Sequence, residues 1–187
     1  MSSSNGLTRF VVIGALTFAC GTLYSTPAAA ANYRSFYQNA GASCHGVDAL
    51  SDAKLTRTEG RLINKTNSSI DVICNLMTDV YAPQSTNKGV VTFVALWARR
   101  YAGTGRTMSC TLTDGFYGQT GSTTYQPDVA NPLSLPNSGA QAIFTWTPGN
   151  LATSRFLAPV NVRCTLAGYT ELNDMFVEYE GDIGTAY

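Results

Sequence analysis

The stretch Ile70-Asp71-Val72-Ile73-Cys74-Asn75-Leu76 alternates in character with a period of two: Ile70, Val72, Cys74 and Leu76 fall on one side, Asp71, Ile73 and Asn75 on the other. Successive side chains of an extended backbone point to opposite faces, so this is the pattern of a strand with one face against a core. The pattern recurs three times. Met108, Cys110 and Leu112 alternate with Thr107, Ser109, Thr111 and Thr113; Ala142, Phe144 and Trp146 with Ile143, Thr145 and Thr147; Val160, Val162, Cys164 and Leu166 with Asn161, Arg163 and Thr165. Cys74, Cys110 and Cys164 therefore each sit mid-strand on an apolar face.

Outward from these four segments, further strands are expected at Gly60–Asn64, Val90–Arg99 and Met175–Glu180, with a short one around Ser122–Gln126. In Met175–Glu180, Met175, Val177 and Tyr179 oppose Phe176, Glu178 and Glu180. Turn-forming residues separate the strands: Asn64-Lys65-Thr66-Asn67-Ser68-Ser69, read as a polar hairpin turn in preference to a pair of glycosylation acceptors; Ala102-Gly103-Thr104-Gly105; Pro148-Gly149-Asn150; and Asn173-Asp174 ahead of the last strand. Helix-period segments are scarce. Several short strands with this punctuation predict an all-β fold, a β-sandwich, with a small β-barrel as the alternative. Gly118–Asn137, rich in Gly, Ser, Thr, Pro and Gln, reads as a mobile surface excursion, and a loop of this length is otherwise a binding feature.

The beginning of the chain has a different character. One positive charge, Arg9, precedes the apolar run Phe10–Ala19, and small residues follow at Ala28-Ala29-Ala30-Ala31, the layout of an export signal cleaved after Ala31. A membrane anchor needs about 20 continuous apolar residues, whereas Gly14, Thr17, Gly21 and Thr22 interrupt this segment. Lipidation at Cys20 is disfavoured by bulky Phe18 and by Thr17 at positions where lipoprotein signals differ. Residues 1–31 are thus expected to be a signal peptide and residues 32–187 a single domain, large enough to bury a core. The expected location is secreted or periplasmic, at the cell envelope, with no integral membrane span after cleavage.

Of five cysteines, Cys20 lies in the signal, leaving Cys44, Cys74, Cys110 and Cys164. An even number in an exported chain predicts disulfides. Ser109-Cys110-Thr111-Leu112 and Arg163-Cys164-Thr165-Leu166 are near-copies in the same strand register, which favours Cys110–Cys164 and leaves Cys44–Cys74; four cysteines allow three pairings.

Little in the sequence suggests catalysis. His45 is the one histidine, so multi-histidine metal sites are excluded, and its neighbour Cys44 is read as a disulfide partner rather than a nucleophile. Gly41-Ala42-Ser43-Cys44-His45 lacks the first cysteine of a haem attachment motif. Glu178 and Glu180 share a strand face, and Glu59 and Glu171 are single acids beside turns; all four read as solvated surface rather than a glycosidase pair. No metal or cofactor is expected. With eleven Lys and Arg against twelve Asp and Glu once Arg9 is removed, and no basic run, nucleic acid is not an expected partner. Trp97, Trp146, Phe93 and Phe144 lie in alternating strands and read as core, while Tyr33, Phe36 and Tyr37 read as a segment docked on the sheet.

Ser43-Cys44, the Val72-Ile73-Cys74-Asn75-Leu76 strand, Met108-Ser109-Cys110-Thr111-Leu112, and Val162-Arg163-Cys164-Thr165-Leu166 followed by a short turn and a terminal strand resemble a loose group of small uncharacterised exported bacterial proteins. The resemblance spans about Ala42 to Glu180, and Asn75 stands where members usually carry Pro. It implies an exported fold of this strand pattern and no activity. The expectation is a non-catalytic β-sandwich acting as a structural or interaction protein on an unknown protein or glycan. The alternatives are a carbohydrate-binding module using Tyr117, Tyr125 and Trp97, and a hydrolase of unrecognised type.

Overall fold

A computed structural model describes residues 32–78, 90–115, 123–136, 139–149 and 156–181. The expected signal segment, Cys20 and Tyr117 lie outside them.

The chain begins with β1 (Asn32–Asn39), a single helical turn α1 (Ala40–Ser43), β2 (Cys44–Gly46) and a second turn α2 (Ala49–Asp52). A hairpin of β3 (Leu55–Thr58) and β4 (Arg61–Asn64) leads to β5 (Ile70–Leu76) and the long β6 (Val90–Arg100). Then come β7 (Thr107–Asp114), β8 (Thr123–Tyr125), β9 (Leu133–Ser134), β10 (Gln141–Trp146), β11 (Phe156–Leu157), β12 (Val160–Leu166) and β13 (Thr170–Gly181).

Two antiparallel sheets face each other across one apolar core, so the fold is a disulfide-stapled β-sandwich. One sheet has the order β10-β6-β13-β4-β3, with β1 along β13 and β11 along β6; the other runs β2-β5-β12-β7-β8, with β9 beside β7. The sequence pattern reads directly onto the layers. Ile70, Val72, Cys74 and Leu76 of β5, Met108, Cys110 and Leu112 of β7, and Val160, Val162, Cys164 and Leu166 of β12 all point into the core. They meet Val94, Leu96 and Ala98 of β6, Phe144 and Trp146 of β10, and Leu172, Met175 and Val177 of β13. Among the described residues no helix is long and apolar enough to cross a membrane.

The disulfides are Cys44–Cys74 and Cys110–Cys164, the favoured pairing. In each, the cysteines are direct cross-strand partners, Cys44 on Cys74 between β2 and β5, and Cys110 on Cys164 between β7 and β12, with Cα atoms 4.0 and 4.1 Å apart. Closing loops of 30 and 54 residues stabilises the fold by about 4 kcal/mol each on a chain-entropy basis.

Two turn expectations and one loop expectation are corrected. Asn64–Ser69 is not a hairpin turn: β4 belongs to one sheet and β5 to the other, so this segment crosses between layers. Asn64 is fully buried and anchors the crossing; its Nδ2 donates to the carbonyls of Ser68, Leu166 and Ala167, and its Oδ1 accepts from the Thr66 amide and hydroxyl. Asn173-Asp174 does not precede the last strand but lies within β13. Between the pairs Leu172–Ala98 and Met175–Leu96, β13 advances three residues while β6 advances two, a bulge that sets Asn173 and Asp174 together against Trp97. The described part of Gly118–Asn137 is not a free excursion, because Asn131 donates to the Cys110 carbonyl and accepts from its amide, and Leu135 is buried.

Candidate functional site

The outer face of the seven-stranded sheet departs most from an ordinary solvated surface. On β6, Val94, Leu96 and Ala98 point inward, so Phe93, Trp97 and Arg99 point outward and are half-buried. The expectation that Trp97 and Phe93 are core is therefore corrected, whereas Trp146 and Phe144 are core. The alternation read across β6 did not identify its core face, because both faces of the strand carry apolar residues.

An aromatic strip crosses this face. Tyr37 of β1 pairs with Phe176 of β13, with ring centroids 4.8 Å apart; Tyr37 lies 6.3 Å from Trp97, and Phe93 lies 5.9 Å from Phe176. Ile143 of β10, the cross-strand partner of Trp97, extends the strip at 41% exposure, and Tyr37 stands 69% exposed. The expected docking of the first strand is observed, all of β1 pairing with Asp174–Gly181 of β13, yet docking leaves Tyr37 open to solvent because its neighbours on that face are other rings rather than core.

Beside the strip lies an open hollow of about 290 Å³ lined by Glu59, Arg61, Arg99, Gln141, Asn173 and Asp174. Its floor is charged. Glu171 has no exposed surface, correcting the solvated-surface reading, and accepts a hydrogen bond from Nε of Arg99, its cross-strand partner on β6. Arg61 Nη1 lies 3.6 Å from the same carboxylate oxygen, while Arg61 Nη2 donates to Glu59 at 2.5 Å. A buried carboxylate is tolerated only with such partners, because its desolvation costs several kcal/mol otherwise.

The bulge supplies the remaining groups. Asn173 is 5% exposed, and its Oδ1 is without a hydrogen-bond partner among the described residues, as is Oε2 of Glu171. Asp174 is held by Asn39, whose Nδ2 donates to it at 3.0 Å. Glu59 and Gly60 have positive φ values of 49° and 81°, the backbone of a two-residue hairpin turn, and this turn places Glu59 at the rim.

The other candidates lie elsewhere. Tyr125 is on the opposite sheet, its ring 4.9 Å from Phe156 and its hydroxyl donating to Asp114; burial pushes its phenol pKa up. Trp97 and Tyr125 are thus on different layers and do not form one surface. His45 is exposed, and the nearby acids are engaged elsewhere: Asp48 accepts from the Ser51 amide and hydroxyl, and Asp52 from the Gly46 amide and Arg57. Glu178 accepts a hydrogen bond from Thr92. Sequence reasoning missed the grouping of Arg61, Arg99, Gln141, Asn173 and Asp174. The available signal was opposite charge on the non-core face of strands that read as central.

No protein-family pattern matches the chain, and no curated protein matches it. Partial likenesses to solved structures exist. The CBM22-1 and GH10 modules of xylanase 10B from Clostridium thermocellum, complexed with xylohexaose, align over 83% of this chain at 9% identity with a TM-score of 0.39; this chain spans 27% of that one. TmCBM61 in complex with β-1,4-galactotriose aligns over 79% of this chain and 84% of its own, at 10% identity and a TM-score of 0.32. A CBM4 structure aligns over 76% and 81% respectively, at 12% identity and a TM-score of 0.28. Likenesses of this size bear on neither ligand nor activity.

Proposed function

We propose that this chain is a non-catalytic glycan-binding β-sandwich that takes its ligand on the outer face of the seven-stranded sheet. The supporting observation is the solvent-exposed ring of Tyr37 beside Trp97, adjoining a hollow lined by amide, carboxylate and guanidinium groups. A pyranose has an apolar C–H face and a rim of hydroxyls. Stacking on rings satisfies the first, and fixed donors and acceptors satisfy the second. The hydrogen bonds among Asn39, Asp174, Arg99 and Glu171 hold the polar groups in place before a ligand arrives, which lowers the ordering cost of binding. The same reading has the protein working outside the cytosol, secreted or at the envelope, which accords with its two disulfides.

The test is a glycan array probed with the wild type, Trp97→Ala and Tyr37→Ala, together with an assay for released reducing ends. The expected result is glycan binding that falls at least about ten-fold in either variant, a loss of roughly 1.4 kcal/mol, with no sugar released. Binding that ignores both substitutions, or turnover, refutes the reading.

A further inference from the structure

Resting on that reading, we infer that the glycan is uncharged, and that the site excludes acidic polysaccharides. The outer face carries the carboxylates Glu59, Glu171, Asp174 and Glu178 against the guanidiniums Arg61 and Arg99, so among the described residues two negative charges are uncompensated.

The two arginines look like a uronate receptor at first sight, but they are committed. Arg99 and Arg61 both face Glu171, and Arg61 also holds Glu59. Glu171 has no exposed surface. Drawing either guanidinium away to a ligand carboxylate would strand that buried charge, a loss that a rim contact with an incoming uronate does not recover. Glu59 and Asp174 at the rim would face such a ligand from close range, well inside the screening length of about 8 Å at physiological ionic strength.

The groups left for a ligand are suited to hydroxyls. Asn173 and Gln141 line the hollow with amides, which donate and accept as a hydroxyl does, and the Asn173 Oδ1 has no partner within the described residues. The β13 bulge that turns Asn173 and Asp174 outward lies opposite Trp97, so a sugar stacked on Trp97 places its hydroxyls beside these two side chains. Asn173 is thereby assigned as the residue that recognises the hydroxyl pattern.

The test is affinity electrophoresis of the full domain in gels containing a neutral β-glucan, mannan or galactan, compared with polygalacturonate and alginate, at low and high salt. The expected result is retention by at least one neutral polymer independent of salt, with both uronates at least about ten-fold weaker at low salt and recovering as salt screens the repulsion. The Glu59→Gln/Asp174→Asn double variant should narrow the neutral-to-acidic ratio, and Asn173→Ala should weaken the neutral polymer. Where a variant does not fold, the salt series on the wild type decides. A uronate held as tightly as any neutral polymer, or held more weakly as salt rises, overturns the inference and leaves the glycan-binding reading standing. Retention by none of the polymers, with a blank glycan array, removes both.

Discussion

The fully buried carboxylate of Glu171 and the guanidinium of Arg99 are cross-strand partners on β13 and β6, at the centre of the seven-stranded sheet and on the side away from the apolar core. A charge pair in this position fixes Arg99, which lines the hollow, from behind, and it makes the two side chains unequal to mutation. Arg99 retains some exposure, whereas Glu171 has none.

Arg99→Met is therefore expected to lose about 3 kcal/mol, because it leaves a buried carboxylate with only the more distant Arg61. The double change Arg99→Met/Glu171→Leu should be less damaging than the sum of the single changes, since it removes both the charge and its partner. Urea unfolding of the four species measures the coupling. Strict additivity would show that the pair does not act as a unit.

On the opposite sheet, Asp71 accepts from the Arg163 guanidinium at 2.8 Å and from the Thr165 hydroxyl at 2.7 Å, and these bonds, Arg163 first, hold its carboxyl below the ordinary value of 3.8. A group with a lowered folded pKa stabilises above its unfolded value and loses that contribution as pH falls through the folded one. Asp71→Asn is expected to lower stability at neutral pH by under about 1 kcal/mol, because the pair is partly solvated. The melting curves of variant and wild type should converge below the ordinary carboxylate pKa. A gap that stays constant into strong acid would contradict this account.

A methyl group at Gly168 would sit 2.5 Å from the Asn67 carbonyl carbon and 2.6 Å from its oxygen, both backbone atoms of the crossing that Asn64 anchors. Gly168→Ala should cost about 1–3 kcal/mol by overpacking. Gly149→Ala, which meets nothing within 4 Å, is the control and should stay within about 0.5 kcal/mol. Thermal melts of the pair check both.

The layered fold was legible because four segments obey period two cleanly, and the disulfide pairing was legible because the sequence around Cys110 and Cys164 repeats in matching register. The binding face was harder to read. Trp97 lies in a strand with apolar residues on both faces, so the sequence pattern cannot say which way it points. Glu171 is buried only because Arg99, 72 positions away in sequence, lies across from it. Asn173 and Asp174 look like a turn in isolation and become a bulge only once β6 is beside them. Each of these depends on which strand neighbours which, and local sequence does not encode that.

Both crosslinks join neighbouring strands of the same layer, β2 to β5 and β7 to β12, and neither reaches the layer that carries Tyr37 and Trp97. Reduction of these crosslinks thus loosens the rear wall alone. Contact with the front wall is maintained by oily packing and by chain crossings such as the one at Asn64, so among the described residues the layer that carries Tyr37 and Trp97 holds no disulfide for a reductant to cut.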